Sequence, residues 1–243
     1  MKTQQRLKNR VVLITRGESQ FAGVLSRKFA QNGADVLLCA SEKNADCLKN
    51  KRAVEQENRH CELVTGDLLQ PGFCQEVASR VHSKFGKIDF LINNSLAPTI
   101  PAEGVPVALW KKLQEVSSLK MYSFQELTES LIPFFKTGGK IINNQHFIAG
   151  PGYLPEKEIH KKHLQSVRIL TAFFANRYRD KGILAHGVLF RQNDAGKQNP
   201  GDNAWGSLPE AFTESECPFL QLATGTHRME NGSVVAISGF SPA

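Results

Sequence analysis

The sequence predicts a doubly wound α/β fold, a three-layer sandwich in which a seven-stranded parallel sheet carries helices on both faces. Two features support this expectation. Short apolar runs, beginning with Val11-Val12-Leu13-Ile14, recur along the whole chain, and amphipathic stretches of helical length separate them. Runs that are apolar on both faces suit a buried parallel sheet, because an antiparallel sheet with one wet face alternates apolar and polar residues. With 243 residues, 41% hydrophobic and 22% charged, the chain can bury one large core. A single domain over 1–243 is expected, with 1–9 as an N-terminal tail.

After that tail, Val11-Val12-Leu13-Ile14 reads as the first strand and 20–32 as the first helix. Val36-Leu37-Leu38-Cys39 is the second strand and Cys61 to Thr65 the third. A helix over 72–85 leads to the strand Ile88-Asp89-Phe90-Leu91-Ile92, and a long helix over 107–135 leads to Lys140-Ile141-Ile142-Asn143. A helix over 157–180 precedes a strand from Ile183 to Phe190. A loop and a short helix ending near Thr224 then reach the closing strand Ser233-Val234-Val235-Ala236-Ile237. In such a sheet a ligand belongs at the carboxyl ends of the strands.

Composition narrows the function classes. No run of about 18 or more apolar residues occurs, and Met1-Lys2-Thr3-Gln4-Gln5-Arg6 leads into no signal-peptide segment, so a cytoplasmic protein without a membrane role is expected. Cys39, Cys47, Cys61, Cys74 and Cys217 are odd in number and lack C-x-x-C spacing, which points to free thiols rather than disulfides or a zinc site. The formal charge of +7 is spread along the chain, with no basic tract beyond pairs such as Lys111-Lys112 and Lys161-Lys162. That pattern argues against nucleic acid; cofactor phosphates or an acidic partner suit it better.

Several segments, in order and at consistent spacing, carry a family resemblance. They include Val11-Val12-Leu13-Ile14-Thr15, Gln31-Asn32-Gly33-Ala34-Asp35-Val36, Gly66-Asp67-Leu68 and Ile88-Asp89-Phe90-Leu91-Ile92-Asn93-Asn94. Trp110, Gly139-Lys140-Ile141-Ile142-Asn143, Lys181-Gly182-Ile183, Phe219-Leu220 and the stretch from Asn231 to Phe240 continue the series. From Arg10 to Gly239 the chain resembles the short-chain dehydrogenase/reductase family. The resemblance implies a Rossmann-type fold, an NAD(P)(H) cofactor and an Asn-Ser-Tyr-Lys catalytic tetrad.

The resemblance also locates departures. Aligned without a gap from Thr15, the family's three phosphate-turn glycines fall on Arg16, Gln20 and Ala22; a shifted alignment rescues Gly17 and Gly23 at the cost of an insertion and a deletion. Those glycines ordinarily allow the tight turn and the approach of backbone to pyrophosphate. Side chains fill the turn instead, although Arg16 could face a phosphate. Asp67 falls where the family contacts adenine and Asn93 where it lines the adenosine pocket. Each has a structural alternative, Asp67 as a helix cap and Asn93 as holder of the turn after strand four. The second strand ends in Ala40-Ser41, which signals neither NAD nor NADP.

The tetrad positions are changed as well. The family asparagine falls on Ser117 and the serine on His146. The tyrosine and lysine fall on Ile159 and His163 by one count, or on His160 and Leu164 by the other. Phe190-Arg191 replaces a Pro-Gly after strand six. Tyr153-Leu154-Pro155-Glu156-Lys157 does read Tyr-x-x-x-Lys, but it lies about two helical turns too early, with Pro155 at the helix start. His146, His160 and His163 could form a replacement proton-transfer cluster, since histidine titrates near neutrality.

Three functions follow from this. The first is a catalytically inactive pseudo-dehydrogenase serving as a structural or regulatory subunit. In a homo-oligomer, or paired with an active paralogue, it would bury the 107–135 and 157–180 helices against its partner. The second is a divergent NAD(P)(H)-dependent oxidoreductase with relocated groups. The third is a nucleotide or ligand sensor without turnover.

Overall fold

A computed structural model describes residues 5–96, 121–149, 156–193, 217–226 and 229–237. Seven strands make one sheet: β1 (Val11–Thr15), β2 (Asp35–Ala40), β3 (Cys61–Thr65), β4 (Ile88–Leu96), β5 (Phe135–Ala149), β6 (Leu184–Asn193) and β7 (Val234–Ile237). Their order is β3-β2-β1-β4-β5-β6-β7, and every neighbouring pair is parallel. Among the described residues the α-helices are α1 (Gln20–Gln31), α2 (Ala45–Glu55), α3 (Phe73–Phe85), α4 (121–131), α5 (Glu156–Arg177) and α6 (Pro218–Thr224).

The continuous apolar strands reflect burial on both sides. On one face Val12, Ile14, Val36, Leu38, Phe90 and Ile92 pack with Phe21, Leu25 and Phe29 of α1 and Phe219 and Leu222 of α6. On the other, Leu13, Leu37, Leu91 and Ile141 pack with Val77 and Val81 of α3, Leu127 of α4 and Phe174 of α5. Successive strand residues point to opposite faces, so only a sheet covered on both sides rewards such a sequence. At the amino ends of the strands Asp89 is buried. It accepts hydrogen bonds from Arg10 Nη1 at 2.7 Å and from the Val11 amide at 2.9 Å, and Lys87 lies 3.2 Å away.

Several expectations need correction. Within the N-terminal segment, Leu7 is buried and its amide donates to Asn32 O at 2.8 Å. The interval between the second and third strands holds α2, capped by Asn44 Oδ1, which accepts from the Cys47 amide. The described part of the helix expected over 107–135 ends at 131. Ile132-Pro133-Phe134 forms a single 3-10 turn, and β5 already begins at Phe135. Proline lacks the N–H that would continue the helix. The pairing then jumps from Ile88↔Phe135 to Phe90↔Lys140, and the irregularity contains Gly138 at φ 82°. All five cysteines are free and buried, and no described helix is long and apolar enough to cross a membrane.

His186 of β6 is 2% exposed. Burial, with the Lys140 ammonium as the second cause, pushes its imidazole down to about 4. A histidine whose pKa drops on folding stabilises the fold only while neutral. Its contribution is complete above the unfolded value of about 6.5 and is lost as pH falls towards 4. Urea denaturation from pH 7 to 4 should therefore show a stability loss, up to about 3 kcal/mol of which disappears in His186→Gln. Identical pH slopes for both proteins would contradict this.

Candidate functional site

The turn from β1 into α1 sits at the carboxyl edge of the sheet and closes on itself. Arg16 adopts φ 53°, the left-handed region that favours glycine. Gly17 and Gly23 are not among the positive-φ glycines. Backbone geometry therefore supports the ungapped alignment, in which Arg16 stands at the first glycine of the turn. Gly17 is needed for a different reason: a Cβ there would lie 2.8 Å from Leu38 Cβ. Its amide donates to Cys39 O at 2.9 Å, tying the turn to β2.

Two of the donors that make a helix N-terminus attract phosphate are engaged within the chain. The Ser19 amide donates to Arg16 O at 2.9 Å, and Ser19 Oγ, the N-cap of α1, accepts from the Ala22 amide at 3.1 Å. From α2, buried Asn50 Nδ2 donates to Gly17 O at 2.8 Å and Ser19 O at 3.0 Å. Gly23 makes room for that side chain, since a Cβ at 23 would lie 2.2 Å from Asn50 Oδ1. Gln20 is exposed at the first position of α1.

An anion of the chain's own already lies beside the turn. Glu18 Oε2 accepts from the Ser41 amide, just past β2, at 3.3 Å, and Glu18 Oε1 lies 3.7 Å from Arg16 Nε. Burial lowers the Arg16 pKa, and its second cause, the nearby Glu18 charge, opposes that shift. A dinucleotide pyrophosphate would meet a carboxylate and engaged amides here, so these residues do not fit that end of the cofactor.

Asp67 follows β3. Its Oδ1 accepts from the Leu69 amide at 2.9 Å, a local turn rather than the helix cap that was its structural alternative, for α3 starts at Phe73 with Gly72 as N-cap. Asn93 lies within β4, not in a turn after it. Its Nδ2 donates to Asn143 Oδ1 at 2.9 Å, and Asn143 Nδ2 donates to Thr171 Oγ1 at 3.1 Å. Asn93 Oδ1 is buried without a hydrogen-bond partner among the described residues. One register step on, Asn144 Nδ2 donates to Asn94 Oδ1 at 3.0 Å and Asn94 Nδ2 to Ser19 Oγ at 3.3 Å.

Ser117 and Tyr153 lie outside the described residues. His146 stands on β5, in register with Leu96 and Phe190. Ile159, His160 and His163 fall in the first turns of α5, with Ile159 and His163 at the spacing of one helical face. The side chains of these four residues also lie outside the described set. The backbone around them differs from the expected strand ends at Asn143 and Phe190: β5 and β6 stay paired through Ala149↔Asn193. Phe190-Arg191 keeps both amides, so nothing interrupts the ladder where a Pro-Gly would.

Comparison with known proteins decides the family. A family model described as Enoyl-(Acyl carrier protein) reductase matches residues 18–190. The chain belongs to the short-chain dehydrogenase/reductase family. General stress protein 39 of Bacillus subtilis is 32% identical over 142 residues, 58% of this chain and 49% of that protein. Uncharacterized oxidoreductase YhdF of the same organism is 27% identical over 147 residues, 60% of this chain and 50% of that one. The chain thus spans about half the length of the curated relatives it matches. A short-chain type dehydrogenase/reductase from Mycobacterium marinum superposes with a TM-score of 0.73 at 16% identity, covering 97% and 96% of the two chains. NADH-dependent reductase A1-R', solved in complex with NAD, gives 0.69 at 16% identity, covering 97% of each. At such identities these structures speak for the fold alone.

Sequence reasoning missed Glu18 and Asn50. Neither belongs to a motif, and only the packing of α2 and the end of β2 against the turn reveals them. The only sequence signal was Gly23, which the shifted alignment treated as a phosphate-turn glycine. Gly23→Ala should cost about 1–3 kcal/mol by overpacking, and the cost should shrink in an Asn50→Ala background. Equal costs in the two backgrounds, measured by urea denaturation, would refute the contact.

Proposed function

We propose that this member of the family works without hydride transfer, as a cytoplasmic pseudo-dehydrogenase serving as a structural or regulatory subunit. It would act in a homo-oligomer or paired with an active paralogue. One observation carries the reading: in the β1–α1 turn the Gly17, Ser19 and Ala22 amides already donate to the chain's own oxygens. The Glu18 carboxylate of the same turn lies 3.7 Å from Arg16 Nε. Supporting it, the β5–β6 ladder continues past Asn143 and Phe190, where the strands were expected to end.

A surface suited to assembly remains. Tyr122 of α4 and Ile169 and Phe173 of α5 are 60%, 54% and 37% exposed. Arg177 lies over the Phe173 ring at 5.8 Å and pairs with Glu129 at 3.3 Å. Apolar side chains rimmed by both charges suit a self-complementary or paralogous interface. Ile169→Asp combined with Phe173→Asp should convert an oligomer to monomer in light scattering. A wild-type monomer at micromolar concentration that recovers no partner in pull-down would remove the assembly role.

The second reading, a divergent NAD(P)(H)-dependent oxidoreductase, draws on His146 at the carboxyl end of β5 and on relatives named as oxidoreductases. Calorimetry with NADH and NADPH separates the two. Wild-type protein should bind weakly or not at all, while Arg16→Gly with Gln20→Gly should recover measurable affinity. A panel of carbonyl substrates should give turnover near background, since general acid help alone is worth about 10² to 10⁴ in rate. Low-micromolar nucleotide binding, or robust turnover abolished by His146→Ala, His160→Ala, His163→Ala or Tyr153→Phe, would favour the oxidoreductase.

A further inference from the structure

We infer that Asn231 is a site of spontaneous covalent modification, where an opening of the β6–β7 corner is fixed by conversion of asparagine to aspartate or isoaspartate. Asn-Gly, in which the backbone nitrogen reaches the preceding carboxamide unhindered by a Cβ, occurs twice, at Asn32-Gly33 and Asn231-Gly232. The Gly232 nitrogen attacks Asn231 Cγ. The new C–N bond forms, the Cγ–Nδ2 bond breaks, and ammonia leaves with the Gly232 amide proton. Water then opens the succinimide at one of its two carbonyls, giving aspartate or isoaspartate, and no other reactant enters.

In the folded chain both reacting groups are tied. The Gly232 amide donates to Ala185 O at 2.8 Å, Asn231 Oδ1 accepts from the Ala185 amide at 2.8 Å, and Asn231 Nδ2 donates to Ala175 O at 3.1 Å. The reaction therefore waits for this corner to open. The corner lies where Asn231 is half-buried and leads into β7, an end strand of only four residues. Peripheral units of this kind open at lower cost than the core. Asn32 is buried instead: its Nδ2 donates to Lys28 O at 3.0 Å, its carbonyl holds the Leu7 amide, and the Gly33 amide is on Ala30 O at 2.8 Å. Conversion at Asn231 has a structural consequence. Ala175 is in the last turn of α5, the negative end of the helix dipole, and aspartate replaces the donor there with an anion. Isoaspartate adds a backbone methylene just before the pairing Gly187↔Val234. The inference goes beyond the proposed function and holds with or without hydride transfer.

The test is peptide mapping by mass spectrometry, with an isoaspartate assay, of the full chain held in mildly alkaline buffer either folded or in urea. In urea the two Asn-Gly pairs should convert at similar rates. In the folded chain Asn231 should convert more slowly than in urea but at least about tenfold faster than Asn32, a ratio set by their opening costs. Asn231→Asp, which reproduces one product, should speed hydrogen exchange of the Gly187 and Gly232 amides at least about tenfold and leave Val12 and Leu13 unchanged. The wild-type rates decide the matter even where the variant does not fold. Folded conversion at Asn231 no faster than at Asn32, conversion as fast as in urea, or unchanged exchange in Asn231→Asp would each overturn the inference.

Discussion

The Asn50 carboxamide holds the carboxyl edge of this sheet in shape. Its two hydrogen bonds to Gly17 O and Ser19 O reach the turn from α2, and they exist only because Gly23 has no side chain. They fix the turn that places Arg16 in left-handed backbone, ties Gly17 to β2 and brings Glu18 within reach of the Ser41 amide. A buried carboxamide missing one partner would cost more than the net worth of the bond, so the arrangement holds together as a unit. Three amides of the turn, those of Gly17, Ser19 and Ala22, are here satisfied by the chain's own oxygens.

The same economy recurs along the central strands. Asn93, Asn143 and Thr171 form one chain of hydrogen bonds, and Asn144, Asn94 and Ser19 another. These side chains lock β4, β5, α5 and the cap of α1 together just beneath the region where chemistry would occur. The hydrophobic stability of the sheet lies elsewhere, in the two layers that cover its faces. Site residues at the edge can therefore change identity at little cost to the fold. A fold that stays legible while its tetrad positions are rewritten follows from this separation.

The strands and their order of appearance could be read from the sequence because burial on both faces forces continuous apolar runs, as in Val11-Val12-Leu13-Ile14. Boundaries were harder. Pro133 ends α4 by removing a donor, and the bulge around Gly138 lengthens β5, two local backbone effects that periodicity does not register. The site was partly legible. The odd residue at the first turn glycine, Arg16, was visible, and its positive φ agrees with that placement. Asp67 and Asn93 were singled out, but the cap and the turn suggested for them were wrong. Their hydrogen bonds depend on neighbours in space. Glu18 and Asn50 were invisible because their partners, Ser41 and Gly17, are separated from them by a whole strand or helix.

The central claim is that the protein's own groups fill the place of the cofactor pyrophosphate. A crystal structure of the protein grown in excess NADH tests it most directly. The account predicts Asn50 on the Gly17 and Ser19 carbonyls, Ser19 Oγ on the Ala22 amide and no dinucleotide density across the turn. Pyrophosphate density over the α1 N-terminus, with Glu18 swung away from Ser41, would contradict it.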